Sequence, residues 1–167
     1  MEIRPEREKD LAAVYRLNSS AFATDAEASL VDALRKQASP IVSLVAIVDN
    51  QVIGHILFSP VQHSQNTDAL IMGLAPMAVA ENAGNQGIGS ALIVSGIAAC
   101  ARLGAGAIVV LGHPGYYPRF GFTPASGYGI ECEYDVPDEA FMAIELTPQF
   151  LASKPGTIKY HECFANL

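Results

Sequence analysis

The stretch Gly73–Leu92, GLAPMAVAENAGNQGIGSAL, contains the junction that decides the fold of this 167-residue chain. An apolar strand ends at Val79, a polar turn follows over 81–86, and a long uncharged helix is predicted to begin at Gly87. The start of a helix leaves backbone N–H groups without partners and carries the positive end of the helix dipole. Because Gly87 and Gly89 have no side chains, they would let a phosphate group approach these N–H groups closely. The junction therefore predicts an anion-binding site.

Two well-known phosphate motifs do not fit this junction. The dinucleotide-binding pattern G-x-G-x-x-G would need glycine at position 92, where the chain has Leu92. The P-loop is excluded because no Gly-Lys-Ser or Gly-Lys-Thr follows. Neither motif therefore explains the junction, which consists of a strand, a short turn and two glycines at the start of a helix.

The composition indicates a globular protein without a nucleic-acid or membrane partner. Half of the residues are hydrophobic and 16% are charged, against roughly 25% in typical soluble domains. The formal net charge of -7 argues against nucleic acid and anionic membranes and favours a cationic or neutral substrate. The low charged fraction is also compatible with a homodimer that buries further surface.

The cysteines and the first residues predict a cytoplasmic protein. Cys100, Cys132 and Cys163 are odd in number and widely spaced, so we interpret them as reduced thiols outside any disulfide framework. Histidines and carboxylates show no metal-ligand spacing, so no metal is predicted. The first ten residues, MEIRPEREKD, lack the apolar core of a signal peptide, and the uncharged run Ser90–Ala101 is too short to span a bilayer.

Hydrophobic periodicity predicts a single α/β domain over residues 1–167. A strand over 1–4 leads into a helix over 9–22, and a second helix starts at Thr24-Asp25-Ala26-Glu27 with capping-box spacing. The further predicted elements are a hairpin over 41–48 and 52–61, the strand 71–79, the helix after Gly87, and strands at 107–111, 140–146 and in the tail 156–164. The helix after Gly87 is predicted to be buried on most faces, because its second side is also apolar: Ala91, Val94, Ala98 and Ala101.

A second unusual stretch, Gly112–Phe122 (GHPGYYPRFGF), follows the strand 107–111. It contains glycine, proline and aromatic residues at high density, and Tyr117 stands four positions before the pair Gly121-Phe122. Taken in isolation, Tyr117 is interpreted as a core aromatic and Tyr116 as a packing residue or part of a pocket wall.

The two stretches, in this order and at this distance, resemble the GNAT superfamily of N-acetyltransferases. That family carries Q/R-x-x-G-x-G/A at the strand–helix junction, which here reads Gly84-Asn85-Gln86-Gly87-Ile88-Gly89, with Gly84 in place of Gln or Arg. The run VLGHPGYYPRFGF, together with Glu27, Leu30-Val31 and Leu34-Arg35, is similar to a bacterial subgroup of predicted N-acetyltransferases. The resemblance implies an α/β (α+β) GNAT fold, with a central, mixed, mostly antiparallel twisted sheet flanked by about four helices.

The resemblance also implies a function, which is acetyl-CoA-dependent acetylation of a primary amine of a small molecule or peptide by direct attack on the thioester. Tyr117 would be the general acid that protonates the leaving thiolate. The backbone of Met77 and Val79 would pair with the pantetheine arm, and the amides from Asn85 to Ser90 would hold the pyrophosphate. The full predicted cofactor-binding set is Met77, Ala78, Val79, Gly84, Asn85, Gln86, Gly87, Ile88, Gly89 and Ser90.

Several questions stay open at the level of the sequence. Glu27 is interpreted either as a helix cap, by its spacing, or as a substrate-binding residue. The general base is unassigned because the strand 71–79 has no acidic residue, and a water chain, Glu27, Asp68 and the acidic loop 131–138 are the candidates. The amine acceptor is not specified, although the acidic loop favours a cationic one. The alternative function is a non-catalytic GNAT module that binds CoA or acyl-CoA as a sensor or partner subunit, and a third is some other anion-binding α/β protein.

Overall fold

The computed structural model describes residues 1–84 and 86–167 of the chain. These residues contain nine strands and three α-helices. The helices are α1 (Leu11–Ala21), α2 (Ala26–Gln37) and α3 (Ile88–Arg102). The strands are β1 (Glu2–Pro5), β2 (Val42–Val48), β3 (Gln51–His63), β4 (Ile71–Val79), β5 (Ala107–Leu111), β6 (Thr123–Pro124), β7 (Ile130–Cys132), β8 (Phe141–Glu145) and β9 (Gly156–Lys159).

The strands form one mixed sheet that is mostly antiparallel, which confirms the predicted fold class. The order along the sheet is β1-β2-β3-β4-β5-β8-β6, and β9 pairs with both β3 and β7. Within the described residues, β4–β5 and β7–β9 are the parallel pairs. The helix count differs from the prediction, because the expected fourth helix is a short 3-10 segment, Tyr117–Phe120. It ends at Gly121, whose φ of 102° cannot continue a right-handed helix.

The sheet separates two apolar layers. On one face, Leu92 of α3 belongs to an apolar cluster with Ile56 of β3. On the other face, Leu34 of α2 belongs to an apolar cluster with Leu57, the next residue of the same strand. Successive side chains of a strand point to opposite faces, so β3 contributes to both layers and lies at the centre of the molecule.

The prediction that α3 is buried on most faces is wrong. Val94, Ala98 and Ala101 are exposed, because a helix on one face of a sheet buries a single stripe of side chains. The outer stripe includes Val94, which is 59% exposed, beside the smaller side chains of Ala98 and Ala101. No helix in the described part of the chain, α3 included, is both long and apolar enough to cross a membrane.

Candidate active site

Strands β4 and β5 run side by side for three residue pairs and then separate. The last pair is Gly73 with Val109, although β4 continues to Val79 and β5 to Leu111. On the opposite side of β4, three residues of β3 (56–58) face four residues of β4 (74–77). A bulge of this kind bends a strand and interrupts local pairing. The result is a gap between β4 and β5, in which the described residues leave the β5 side of β4 without a strand partner beyond Gly73.

The first turn of α3 lies against the unpaired part of β4. A Cβ atom on Gly89 would be 3.4 Å from Met77 Cε of β4 and 3.3 Å from Tyr116 Oη, so the absence of a side chain permits this close packing. Gly87 caps the helix in the left-handed region, with φ of 76°, which other residues rarely adopt. The helix begins at Ile88, and residues 86 and 87 are exposed. The unpaired N–H groups of the first turn are therefore on the accessible side that an anion would approach.

The other predicted cofactor-binding residues lie along β4 and the following turn. Met77 and Val79 are half-buried in the part of β4 that has left β5. Ala78 is buried. Gly84 is exposed in the turn. Asn85 lies outside the described residues.

Tyr117, the predicted general acid, lies just beyond the end of β5. The residue is 9% exposed, and its ring packs against Gly112 and, edge-on, against Phe122. Burial, with a smaller effect of Tyr116, raises the pKa of Tyr117 to about 12. The ring is thus a core aromatic, while the hydroxyl keeps its proton at neutral pH. That is the protonation state a general acid requires.

Tyr116, which the sequence indicated as a packing residue or part of a pocket wall, joins the two motifs. Its hydroxyl lies 3.2 Å from Ser90 Oγ in the first turn of α3, and its ring meets the Tyr117 ring edge-on at 5.2 Å between centroids. The Arg119 guanidinium lies 4.6 Å from the centroid of the Tyr116 ring, and Arg119 Nε donates to the Tyr116 carbonyl. Sequence reasoning missed the hydrogen bond because its partners are 26 positions apart and both are common residue types.

Glu27 does not form the predicted capping box. The N-cap of α2 is Asp25, whose side chain makes no capping hydrogen bond with the described residues. Thr24 Oγ1 instead accepts a hydrogen bond from the backbone N–H of Ala26, a local turn that competes with the box. Glu27 is half-buried in the first turn of α2. It lies one helical turn before Leu30, which belongs to the same apolar cluster as Phe164.

The other suggested bases are all solvent-exposed. Asp68 precedes β4 at the end where β4 and β5 are still paired, which is the closed end of the gap. The acidic residues of the predicted loop 131–138 are exposed as well: Glu131, which lies in β7, and Glu133, Asp135 and Asp138 after it. One of them is engaged with the backbone, since Glu133 Oε2 accepts from Tyr160 N at 2.6 Å.

His55 is a buried structural residue. Its Nδ1 accepts a hydrogen bond from Asn18 Nδ2 at 3.3 Å, so Nε2 carries the proton and donates it to Ser43 Oγ at 2.9 Å. Burial, reinforced by the positive charge of Arg35, lowers the pKa of His55 to about 3. The ring is neutral at pH 7 and closed off from substrate. Among the described residues, no group of three or more His, Cys, Asp or Glu side chains is arranged to hold a metal ion.

A cavity of about 360 Å³ opens on the gap between β4 and β5. Leu74 and Ala75, the first residues of β4 after the last pair with β5, line it together with Leu111, the last residue of β5. Its outer wall is aromatic and consists of Tyr134, Tyr160 and Phe164. Sequence reasoning did not identify this cavity, because its walls come from four separate parts of the chain.

The family model of the Acetyltransferase (GNAT) family matches residues 11–122 of the chain. The chain belongs to the GNAT family. The match includes both motifs, the first turn of α3 and the segment Tyr116–Phe122. It also includes the two strands, β4 and β5, that separate from each other.

Full-length relatives of this GNAT protein include two that were crystallised with CoA or acetyl-CoA. The chain is 37% identical to the uncharacterized N-acetyltransferase YhbS of Escherichia coli strain K12 over 165 residues, or 98% of each protein. The crystal structure of Escherichia coli YhbS in complex with CoA superimposes with a TM-score of 0.92 at 36% identity, covering 98% of this chain and 91% of that one. A GNAT family acetyltransferase from Brucella melitensis, in complex with acetyl-CoA, gives a TM-score of 0.80 at 34% identity, with coverage of 98% and 97%.

Proposed function

We propose that this protein is an acetyl-CoA-dependent N-acetyltransferase that acetylates a primary amine. One arrangement carries the proposal: β4 leaves β5 beside the N-terminus of α3, and the hydrogen bond between Tyr116 and Ser90 connects that terminus to Tyr117. The complexes of YhbS with CoA and of the Brucella melitensis protein with acetyl-CoA support acetyl-CoA as the acetyl donor.

Each part of this arrangement has one role in the proposal. The free backbone of Met77–Val79 pairs with the extended pantetheine arm, as an added strand pairs with a sheet edge. The N–H groups of Gln86–Ser90 hold the pyrophosphate at the positive end of the α3 dipole. Tyr117 holds a proton close to where the thiolate leaves. The contacts predicted for Gly84 and Asn85 stay predictions.

The proposed reaction is a direct transfer. The amine nitrogen attacks the thioester carbonyl carbon, and the C–S bond breaks. The departing thiolate takes the proton of Tyr117 Oη, the nitrogen loses a proton to water, and Tyr117 regains a proton from solvent. The products are the acetylated amine and free CoA, and holding the reactants together supplies much of the rate enhancement.

Thiol release from acetyl-CoA, measured with a panel of amines, tests the proposal. We expect turnover with at least one amine, and the substitution Tyr117→Phe should lower kcat by roughly ten- to a thousandfold because the acid is removed. The affinity for acetyl-CoA, measured by calorimetry, should change little, since phenylalanine preserves the ring packing. Tyr128→Phe is the matched control, because Tyr128 is half-buried in a different apolar cluster. It should behave like the wild type.

The test also separates the alternatives. Tight binding of acetyl-CoA without acetylation of any amine would favour the non-catalytic CoA-binding module. Failure to bind CoA would contradict both functions.

A further inference from the structure

The cavity that opens on the gap is apolar. None of its eight lining residues has a charged side chain. Of the six most exposed large hydrophobic side chains in the described chain, three line this cavity: Leu111 at 40%, Tyr134 at 41% and Leu167 at 58%. Exposed apolar side chains gathered in one place indicate a binding surface.

The outer wall of the cavity presents aromatic rings. Tyr134 and Tyr160 stack with 6.0 Å between centroids, and the Phe164 ring lies 5.3 Å from the Tyr160 ring. Tyr160 also covers Gly73, where an added Cβ would be 3.0 Å from Tyr160 Cε1. The aromatic wall therefore starts at the last residue pair between β4 and β5. Such rings provide flat apolar area on which another ring can pack.

Two buried hydroxyl groups on this side of the sheet lack partners. Tyr160 Oη and Ser59 Oγ make no hydrogen bond with the residues the structure describes. Ser59 pairs directly with Gly73 across the strands, so its side chain lies on the face that Tyr160 covers. A buried hydroxyl without a partner costs free energy.

We infer that the acceptor is a small primary amine carrying an aromatic or bulky apolar group, in its simplest form an arylalkylamine; this inference rests on the proposed function. The cavity of about 360 Å³ lies at the small end of the range of about 300–1,000 Å³ for small-molecule sites. A polyamine or an aminoglycoside would place several ammonium groups against lining side chains that include no carboxylate. Removing those charges from water without a partner is unfavourable.

The apolar walls also help the amine to lose its proton, for which no general base is assigned. Desolvation disfavours the charged form of an amine and lowers its pKa. The acceptor therefore gives its proton to water more readily as it enters. The exposed carboxylates Glu133 and Asp135 flank Tyr134 in the chain and attract the cationic amine to this side of the molecule. The acidic loop is thus compatible with an acceptor that has one positive charge and an apolar body.

The test compares acceptors in the thiol-release assay. We expect kcat/KM for 2-phenylethylamine to exceed that for spermidine, kanamycin and a lysine-containing peptide by at least tenfold. In the variant Leu111→Glu, kcat/KM for 2-phenylethylamine should fall at least tenfold while KM for acetyl-CoA stays the same. Leu103→Glu is the matched control, because Leu103 is exposed to a similar extent, 43%, but lies outside the cavity.

The outcomes for the acceptor and for the proposed function are distinct. Preference for spermidine, kanamycin or the peptide, or equal losses in the two glutamate variants, would overturn the acceptor class and leave the acetyltransferase intact. If acetyl-CoA binds and no amine is acetylated, the proposed function fails. In that case, calorimetric titration of the CoA-loaded protein with 2-phenylethylamine tests whether the cavity binds the amine, independently of acetylation. Binding that Leu111→Glu abolishes supports the site, and no binding by the wild type refutes it.

Discussion

Tyr116 contacts both sequence motifs through different atoms. Its hydroxyl meets Ser90 at the start of α3, and its ring packs against Tyr117. A tyrosine at this position therefore does more than fill space, because it fixes the distance between the predicted phosphate site and the predicted acid. The apolar ring and the polar hydroxyl serve separate contacts.

A double-mutant cycle on Tyr116→Phe and Ser90→Ala measures this connection. A neutral hydrogen bond contributes about 0.5–1.5 kcal/mol, so each substitution should raise KM for acetyl-CoA by a factor of about two to ten. The double variant should be less impaired than the sum of the two, because both single changes remove the same bond. Additive effects would show that the hydrogen bond does not couple the motifs. Circular dichroism melts control for loss of fold.

At the scale of secondary-structure elements, the turn between β4 and α3 depends on a left-handed residue. Gly87 has φ of 76°, whereas Gly84, three positions earlier, has φ of -63°. A side chain in the left-handed region costs roughly 1–2 kcal/mol. The backbone conformation at position 87 therefore favours glycine, whereas the conformation at position 84 is open to other residues.

Gly87→Ala and Gly84→Ala form a matched pair that tests this difference. Gly87→Ala should lower the free energy of unfolding by about 1 kcal/mol through backbone strain. It should also weaken CoA binding, because the first turn of α3 is displaced. Gly84→Ala should leave stability close to wild type, since an added Cβ would meet nothing nearer than Glu81 O at 3.5 Å. Chemical denaturation and calorimetry with CoA measure both. An equal loss of stability in the two variants would refute the assignment of the strain to Gly87.

At the scale of the whole molecule, the buried His55 makes stability depend on pH. The pKa of His55 is lowered from 6.5 to about 3 in the folded protein, so the unfolded chain binds a proton there that the native state excludes. Its contribution is complete above about pH 6.5 and is lost progressively as the pH falls from 6.5 towards 3.

Denaturation at several pH values checks this dependence. Between pH 6.5 and 5, the free energy of unfolding should fall by up to about 1.4 kcal/mol per pH unit as a result of His55. In His55→Gln that part of the slope should be missing, although the variant is less stable at neutral pH because its contacts with Asn18 and Ser43 change. Identical slopes in the two proteins would show that other groups cause the acid sensitivity.

Much of the fold and part of the candidate site follow from contiguous sequence. The α/β class, the strand ending at Val79 and the glycine that caps α3 depend on backbone preferences and apolar spacing within short segments. The prediction of a capping box at Glu27, which also depends on local spacing, is wrong. Its spacing is correct, but the Thr24 side chain bonds to the nearer N–H of Ala26, and spacing alone does not distinguish these two local bonds.

By itself, the sequence determined the family, the junction between β4 and α3 and the choice of Tyr117 as the predicted general acid. Each of these depends on neighbouring residues or on a motif of fixed length. Tertiary structure alone decided where β4 leaves β5, which side of α3 meets water, how Tyr116 reaches Ser90 and where the apolar cavity forms. These features arise when segments that are far apart in the chain come into contact. The spacing of apolar residues in the sequence does not predict such contacts, because they form only when the folded chain packs against the sheet.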